Sequence, residues 1–379
     1  MLAIALAVML AGCGSAAPQG GAASASAPVT TTVSASNPSP GRRAVHLTIA
    51  ATGDFLIHAP VWQRAAANAG GHGYDFAPMF RLIRPYIQGA DLAVCHVETP
   101  MTPRPPQGYP VFNTPPALAR AIKTTGWDAC DTASNHSLDL GQRGIDETGV
   151  ALHRAGVAHT GSFRSPRAAR RILLLRSKGV RVALLAYTAV SNGQAQPHPW
   201  SLNVASPNRI LRDARRARRA GADVVVVTLH WGEEYQHAPS PAQIRLARRL
   251  TRAPSITAVI GQHVHVVQPI RRINGKPVVF GEGNLVSNQT PSCCAPGSQD
   301  GIVALLRVRA VPGGVARVTR VDYVPVWVRH PDYVVVPSRR GGAKQAAEVR
   351  ASWRRTVGVI GRTGFYAPWS GRGAEPPAP

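Results

Sequence analysis

Acidic residues and lysines are scarce in this chain of 379 residues. Only 19 residues are aspartate or glutamate, against 43 lysines and arginines, and only four of those 43 are lysines. The formal net charge of +24 would suit a protein that binds nucleic acid. However, no aromatic residues alternate with the arginines as a base-stacking platform requires, and so strong a bias towards arginine is typical of a GC-rich coding sequence. We therefore predict no nucleic-acid partner, whereas an acidic polymer or an anionic lipid headgroup is compatible with the charge.

Cysteine is also rare, and no Cys-x-x-Cys or Cys/His spacing indicates a structural zinc site. Cys95 and Cys130 lie in apolar, strand-like runs and are expected to be buried, inert thiols. Cys293 and Cys294 fall in the loop TPSCCAPGS. A disulfide there is plausible outside the cytoplasm, but its pairing cannot be deduced from sequence.

The apolar N-terminal run, Met1 to Ala11, is too short to span a bilayer as a helix. It leads into Leu10-Ala11-Gly12-Cys13, which resembles a bacterial lipobox. We expect residues 1–12 to be a signal peptide and Cys13 to be the lipidation site, although the missing basic region leaves a start upstream of Met1 open. Residues 13–43 are mostly small residues and proline and are expected to form a disordered tether. The composition of this tether argues against a buried N-terminal helix, and the whole pattern predicts a lipid-anchored protein on the extracytoplasmic face of the cell membrane.

From residue 44 onward, apolar runs alternate with amphipathic segments. Runs such as VRVALLAY and DVVVVTL have the composition of strands buried on both faces. Helices are predicted between them, with start signals at Thr114-Pro115, Ser206-Pro207 and Ser240-Pro241. The later run VARVTRVDYVPVWV alternates without a preceding helix, which indicates antiparallel strands and a second sheet. The pattern predicts an α/β domain over residues 44–335 and an Arg-, Gly- and Pro-rich tail over residues 336–379, with one short helix-like stretch.

Polar residues that can bind metal ions follow several of the predicted strands. In open α/β sheets, sites form beyond the carboxyl ends of the strands, so these residues can converge. Carboxylate, amide and imidazole donors without thiolate suit Mn²⁺, Fe or Zn²⁺. Because a carboxylate can bridge two cations, the set suffices for two divalent ions roughly 3.5–4 Å apart, as in phosphoryl hydrolases. The predicted metal ligands are Asp54, Glu98, Asn135, His230, His263 and His265.

Each of these residues taken alone is a weak signal. A lone aspartate after a strand is more often a helix cap, and a lone histidine is usually a hydrogen-bonded loop residue. The His263-Val264-His265 motif is more informative, since alternate strand positions share one face and two imidazoles there need a reason. The prediction of a metal site depends on the whole set.

The stretch TASNHSLDLG, residues 132–141, places an amide and an imidazole side by side. Asn135 is expected to ligate a metal through its side-chain oxygen. His136 would point past it and protonate a leaving oxygen as a general acid. A local turn with an Asn cap and an incidental histidine is the alternative. Weaker candidates, for metal binding or for supporting contacts, are His58, His96, Asp139, Glu234 and Asn284.

Together these motifs resemble the CapA family of poly-γ-glutamate capsule-synthesis proteins, a branch of the calcineurin-like metallophosphatase superfamily. The resemblance runs from Thr52 to Gln289 and is carried by TGDFLIH, ADLAVCHVETPMT, ASNHSLDLG, LHWGEEY, GQHVHVVQPI and VVFGEGNLVSNQ. It implies a four-layer α/β/β/α sandwich of two mixed sheets, with a dinuclear centre in which Glu98 is the bridging ligand. Two positions depart from the superfamily pattern. The histidine expected two residues after Asp54 stands four residues after it, at His58, and the bridging position holds a glutamate instead of an aspartate.

The function implied by the resemblance is that of a metal-dependent hydrolase or transferase. It would act in the synthesis, export or remodelling of an anionic capsule polymer such as poly-γ-glutamate. A non-catalytic accessory subunit of a polymer-synthesis complex and a general extracytoplasmic phosphoesterase are the alternatives. The expected partners are an anionic polymer or a phosphorylated substrate, the membrane through the lipid anchor, and polymer-synthesis proteins.

Overall fold

The computed structural model describes residues 43–314, 316–338 and 346–370. The strands are β1 (Val45–Phe55), β2 (Leu92–Val97), β3 (Ala129–Asp131), β4 (Ala158–Thr160), β5 (Leu173–Ser177), β6 (Val180–Thr188), β7 (Val224–His230), β8 (Ala258–Gln262), β9 (Ile270–Ile273), β10 (Lys276–Val279), β11 (Asn284–Val286), β12 (Asp300–Ala310), β13 (Ala316–Arg329), β14 (Val334–Pro337) and β15 (Tyr366–Pro368). The helices are α1 (Ala59–Asn68), α2 (Ala77–Phe80), α3 (Arg84–Gln88), α4 (Ala117–Thr125), α5 (Gly141–Arg154), α6 (Pro166–Ala169), α7 (Pro207–Arg219), α8 (Pro241–Arg252) and α9 (Ala347–Ile360).

The strands form two mixed sheets. The large sheet has the order β14-β13-β12-β1-β2-β3-β4, with β11 paired to β1 and β15 paired to β13. Its β1 to β4 run parallel, whereas β12 to β14 are antiparallel. The small sheet has the order β5-β6-β7-β8-β10-β9, parallel in its centre and antiparallel at both edges.

Successive residues of the strands face different layers, and this alternation builds the three larger of the four apolar clusters in the described residues. On β1, Ala50 packs with α1 to α4, whereas Ile49 faces the small sheet. On β7, Val226 faces the large sheet, whereas Val227 packs with α7 and α8. The layers therefore follow the order helix, sheet, sheet, helix. The predicted four-layer α/β/β/α sandwich of two mixed sheets is confirmed.

The start of α8 follows directly from its sequence. Ser240 Oγ accepts a hydrogen bond from the backbone N–H of Gln243 at 3.3 Å, and Gln243 Oε1 accepts one from the N–H of Ser240 at 2.8 Å. This capping box satisfies two N–H groups that the first turn leaves unpaired. Ala247 and Leu250 then pack on the small sheet, and α8 begins where Ser240-Pro241 predicts.

The segment from residue 336, predicted as a tail, contributes two elements to the described fold. β15 pairs in parallel with β13. Ile360 at the end of α9 packs in the core between the two sheets. A boundary after residue 335 would also divide β14, which runs from Val334 to Pro337.

Cys95 and Cys130 form a disulfide between β2 and β3. The parallel register sets the two residues opposite each other, with Cα atoms 4.4 Å apart. The prediction of two inert thiols is therefore wrong, because which strands become neighbours is decided only in the folded chain. Cys293 and Cys294 are free thiols.

No helix in the described ranges is long and apolar enough to cross a membrane. The predicted signal peptide over residues 1–12, the lipidation site Cys13 and the tether up to residue 42 lie outside the described residues.

Candidate metal centre

The carboxyl ends of four strands place metal-binding side chains in one crevice. Asp54 lies near the end of β1, Glu98 follows β2, His230 ends β7 and His263 follows β8. The first two strands belong to the large sheet and the other two to the small sheet. None of the four residues is more than 4% exposed. Such crevices beyond strand ends are the usual position of sites in open α/β sheets.

Glu98 is shared by two sets of donor atoms. Its Oε1 is 3.8 Å from His230 Nε2 and 3.7 Å from His265 Nε2. One set consists of Asp54, Glu98 and His265, and the other of Glu98, His230 and His263, with all donor atoms of a set within 4.8 Å of one another. A carboxylate shared in this way has the position of a bridging ligand.

Asp54 connects ligands that come from both sheets. Its Oδ2 is 3.1 Å from His265 Nδ1, and its Oδ1 is 3.9 Å from His96 Nε2. The backbone N–H of His263 also donates to Oδ2 at 3.3 Å. Burial raises the pKa of Asp54, but the hydrogen bond from His265 and the charges of the surrounding imidazoles outweigh it and lower the pKa overall.

His96, a weaker candidate in the sequence, faces the same crevice. Its Nδ1 is hydrogen-bonded to Asp131, and its Nε2 has no hydrogen-bond partner. The ring stacks on His230, with centroids 4.8 Å apart. Burial lowers the pKa of His96, but Asp131 raises it more strongly, to about 9. An imidazole held at one nitrogen by a carboxylate, with the other nitrogen free, has the arrangement of a metal-binding histidine.

The His263-Val264-His265 motif differs from its predicted geometry. β8 ends at Gln262, so the two histidines do not occupy alternate positions of a strand face, and that interpretation is wrong. They lie instead in a turn, with φ of +89° at His263 and +55° at His265. Left-handed φ at a residue other than glycine costs about 1–3 kcal/mol and is concentrated at functional sites. The turn sets the two ring centroids 5.9 Å apart.

The buried polar atoms of the crevice fit divalent cations. Both carboxylate oxygens of Glu98 and one ring nitrogen each of His96, His230 and His263 have no hydrogen-bond partner. A fully buried, unpaired carboxylate is strongly destabilising, and a cation would satisfy it. Carboxylate and imidazole donors suit Mn²⁺, Fe and Zn²⁺. The cluster therefore supports divalent-metal binding.

Burial and neighbouring charges set the protonation of the ligands. Burial raises the pKa of Glu98 to about 7. Burial and the nearby His265 lower the pKa of His263 to about 3, and burial with neighbouring imidazoles places the pKa of His230 well below its usual value. Burial lowers the pKa of His265 as well, but Glu98 and Asp54 raise it to about 9. At neutral pH, His230 and His263 thus offer lone pairs, whereas His96 and His265, each with a pKa of about 9, carry a proton that a cation must displace.

We expect the affinity for Mn²⁺ to increase between pH 6 and pH 8. A cation competes with protons on Glu98, whose pKa is about 7, and on His96 and His265, whose pKa values are both about 9. Each displaced proton adds up to about tenfold in affinity per pH unit below the pKa of its group. Isothermal titration calorimetry at the two pH values measures the change. Equal affinity at both would contradict the ligand roles of these three residues.

Asn135 and His136 lie at the rim of the crevice and are 5% and 7% exposed. Asn135 Oδ1 is 2.8 Å from His230 Nε2, and Asn135 Nδ2 donates a hydrogen bond to Asn192 Oδ1 at 3.1 Å. The contact with Asn192 therefore keeps the amide oxygen of Asn135 directed at the metal-binding histidines.

His136 pairs with Asp139, not with the metal-binding cluster. His136 Nδ1 is 2.9 Å from Asp139 Oδ2. Asp139 also accepts hydrogen bonds from the backbone N–H of Phe112 at 2.8 Å and from Gln194 Nε2 at 3.2 Å. Asn192 Nδ2 is also 3.3 Å from His136 Nδ1, but the carboxylate is the nearer partner. With the proton on Nδ1 facing Asp139, Nε2 is the nitrogen that can exchange a proton with a ligand.

The remaining weaker candidates occupy three different positions. His58 accepts a hydrogen bond from the loop after β11 and joins none of the metal-binding groups found among the described residues. Glu234 is exposed and groups with His263 and His265. Asn284 Oδ1 is 3.1 Å from His265 Nδ1.

Three residues of the site were missed in the sequence. Asp131 ends β3 opposite His96, and a search of strand ends that included every carboxylate would have found it. Asn192 and Gln194 come from the loop after β6, and loop residues carry no periodic signal.

Residues 48–289 match the family model described as bacterial capsule synthesis protein PGA_cap. The capsule biosynthesis protein CapA of Bacillus anthracis is 28% identical over 255 residues, which cover 64% of this chain and 60% of that protein. The PGA biosynthesis protein CapA of Bacillus subtilis is 26% identical over 220 residues, which cover 56% of this chain and 57% of that protein. A Mycobacterium tuberculosis protein described as a probable polyglutamine synthesis accessory protein is 30% identical over 172 residues, 42% of this chain and 45% of its own length. The chain thus spans less than two thirds of each relative.

Two solved structures resemble this chain in fold. The calcineurin-like phosphoesterase YfkN of Bacillus subtilis has a TM-score of 0.47 and 18% identity, covering 83% of this chain and 97% of that chain. The NAD nucleotidase of Haemophilus influenzae has a TM-score of 0.45 and 12% identity, covering 86% of this chain and 64% of that chain.

The matched range covers more than half of the chain and includes all six predicted metal ligands. The chain therefore belongs to the PGA_cap family of bacterial capsule synthesis proteins.

Proposed function

We propose that this protein is a membrane-anchored, extracytoplasmic hydrolase that holds two divalent metal ions. It would act in the synthesis, export or remodelling of an anionic polymer such as poly-γ-glutamate. The observation that carries the proposal is Glu98, a buried carboxylate whose two oxygens have no hydrogen-bond partner and which belongs to two sets of donor atoms. The description of the family and the names of the two CapA relatives support a role in making a capsule polymer.

Two sets of side chains that both include Glu98 would hold the ions. One ion would be held by Asp54, Glu98 and His265, and the other by Glu98, His230 and His263. Asn135 lies beside His230, and His96 groups with Asp54 and His230. Bound divalent cations would offset the charge of substrate oxygens and activate water as a nucleophile.

The proton chemistry falls to side chains at the rim. His136 would donate a proton from Nε2 to the leaving group, which is the amine nitrogen when a γ-linked amide bond is cleaved and the ester oxygen when a phosphodiester is cleaved. Asp139 would hold the ring by Nδ1 in the required tautomer and orientation. Asn192 would keep the amide of Asn135 aligned. The net charge of +24 would favour the approach of an anionic polymer.

The proposal is tested on the purified full-length protein. Its metal content is measured by mass spectrometry. Hydrolysis of a γ-linked glutamate polymer and of a chromogenic phosphodiester is then followed before and after chelation. We expect activity to disappear with the chelator and to return with Mn²⁺, Fe²⁺ or Zn²⁺. A metal-loaded protein that cleaves neither substrate would contradict the hydrolase assignment.

An accessory subunit without catalytic activity is the second candidate. The description of the Mycobacterium tuberculosis relative names an accessory protein of polymer synthesis. In that case the metal would stabilise a scaffold, and His136→Ala would restore full polymer yield to a deletion strain. A general phosphoesterase, the third candidate, would cleave the phosphodiester but not the polymer.

Replacing Cys13 with serine is expected to abolish lipid labelling and to release the protein from membranes. The small-residue run before Cys13 and the tether after it support the anchor. The Cys95–Cys130 disulfide is in keeping with an oxidising compartment. Labelling with a fatty-acid analogue, followed by membrane fractionation, measures both effects. An unlabelled wild type, with the same membrane retention in both proteins, would contradict the anchor.

A further inference from the structure

A second cleft lies at the end of the small sheet opposite to the metal centre. The turn at Asn274 and Gly275 precedes β10, which runs parallel to β8. The turn therefore lies at the amino-terminal end of β8, whereas His263 follows its carboxyl end. The cleft has a volume of about 870 Å³ and is formed by α8, β9, this turn, Thr319 and residues 363–366.

Three arginines line this cleft, and we call it the arginine cleft. They are Arg248 of α8 and Arg271 and Arg272 of β9, and all three are exposed. Among the described residues, no aspartate or glutamate lines the cleft, and the ion pairs of the described chain involve other arginines. Three cations gathered without a counter-charge create a positive potential that an anion would offset.

Aromatic contacts hold two of these guanidinium groups in place. Arg272 lies over the ring of Phe365 at 4.7 Å, and Arg271 lies over the ring of Phe280 at 5.7 Å. Stacking of this kind restricts the side chain. Arg272 Nε also donates to the carbonyl oxygen of Gly275 at 3.3 Å, so the terminal N–H groups are the ones that can donate to a ligand. The cleft therefore presents partly preorganised donors.

The positive surface continues from the cleft along two helices. The exposed arginines Arg245, Arg249 and Arg252 of α8 and Arg212, Arg215 and Arg219 of α7 recur at helical spacing. Arg249 Nη2 donates to Asn208 Oδ1 at 2.6 Å and so connects the helices. Asp213, the one acidic residue of these two helices, is buried and pairs with Arg216.

We propose that the arginine cleft binds a segment of an acidic chain that carries a carboxylate on every residue. Guanidinium groups pair with carboxylates through two parallel hydrogen bonds, which makes arginine the fitting residue for this ligand. The basic surface that continues along α7 and α8 suits a ligand that extends beyond the cleft, as a chain with repeated carboxylates does. The face of Phe365 that a nucleic-acid base would need for stacking is covered by Arg272.

The identification of the ligand as an acidic polymer rests on the proposed function. The presence of the arginine cleft does not depend on that function. β7 has seven residues, so the two ends of the small sheet are roughly 20 Å apart at about 3.3 Å per residue. A chain held in the cleft would therefore be retained at a distance from the bond that reacts at the metal centre. The cleft would keep the polymer bound between successive reactions.

The test measures binding of a fluorescein-labelled γ-linked glutamate oligomer to the full-length protein by fluorescence anisotropy. The triple variant R248A/R271A/R272A is expected to bind about tenfold more weakly, because three exposed ion pairs of a few-fold each are lost. The matched control is R64A/R84A/R120A, which removes the same charge from exposed positions on α1, α3 and α4. We expect the control to weaken binding less than about twofold, with both variants folded by circular dichroism.

Three outcomes would overturn the proposal. Equal weakening in the two triple variants would mean that only net charge matters. If single-stranded DNA binds more tightly than the oligomer, and if this binding is lost in the cleft variant, the cleft is a nucleic-acid site. The same result with phosphatidylglycerol vesicles would assign it to a membrane surface.

The outcome for the cleft is separable from that for the metal centre. The cleft variant should keep its metal and its hydrolysis of a small phosphodiester. If the His136→Ala protein binds the oligomer normally and also keeps its turnover, the catalytic proposal is refuted. The proposal for the arginine cleft is then unaffected.

Discussion

Replacing His136 with alanine is expected to lower kcat by about 10²–10⁴-fold, the usual cost of losing a positioned general acid. His136 Nδ1 is 2.9 Å from Asp139 Oδ2, which leaves Nε2 to act on the leaving group. Because His136 belongs to none of the metal-binding groups in the described ranges, the variant should keep its full metal content. Turnover of a chromogenic phosphodiester and metal analysis of the same preparation measure both effects.

Two further variants control this result. His153→Ala removes an exposed histidine of α5 and should leave kcat unchanged. Asp139→Asn should lower kcat with metal retained, because an amide N–H facing Nδ1 favours the wrong tautomer of His136. Full activity of His136→Ala, together with full polymer yield in a complemented deletion strain, would refute the catalytic assignment and favour the accessory subunit.

Replacing Glu98 with glutamine is expected to remove most of the bound metal and yet to stabilise the metal-free protein. The neutral amide cannot bridge two cations, so both sets of donor atoms lose a ligand. Wild-type protein at a metal concentration of 100 times Kd gains about 2.7 kcal/mol of stability, and the variant should lose most of this gain. Urea unfolding with and without Mn²⁺ measures the difference.

The stabilisation of the metal-free variant follows from the pKa of Glu98. Burial raises this pKa from 4.5 to about 7, so the folded state binds the proton more tightly than the unfolded state does. Stability therefore falls as pH rises from about 4.5 to about 7, and the loss persists above that range. At pH 8 with a chelator, Glu98→Gln should be more stable than wild type by an amount of order 3 kcal/mol.

Glu348→Gln, at an exposed position of α9, provides the control and should change neither metal content nor urea midpoint. Normal metal content in Glu98→Gln, with an unchanged midpoint in chelator, would exclude Glu98 as a bridging ligand.

The sequence by itself determined the fold class and most of the side chains that converge in the crevice. The apolar runs that become β6 and β7 are buried strands because nearly every residue in them is apolar, a local property that needs no knowledge of partners. The Ser240-Pro241 start of α8 is equally local. Asp54, Glu98 and His230 were identifiable because parallel strands place their carboxyl ends at one edge, so residues far apart in the chain converge by a general rule.

The tertiary structure alone decided the contacts between elements and the conformation of the turns. Cys95 meets Cys130, and His96 meets Asp131, because β2 pairs with β3 in one register. His263 and His265 converge through left-handed φ values in a turn, not through strand alternation. Asn192 reaches Asn135 from a loop without any periodic pattern. Periodicity in a sequence reports which face of an element is buried, whereas strand order, register and loop path depend on the packing of the whole chain.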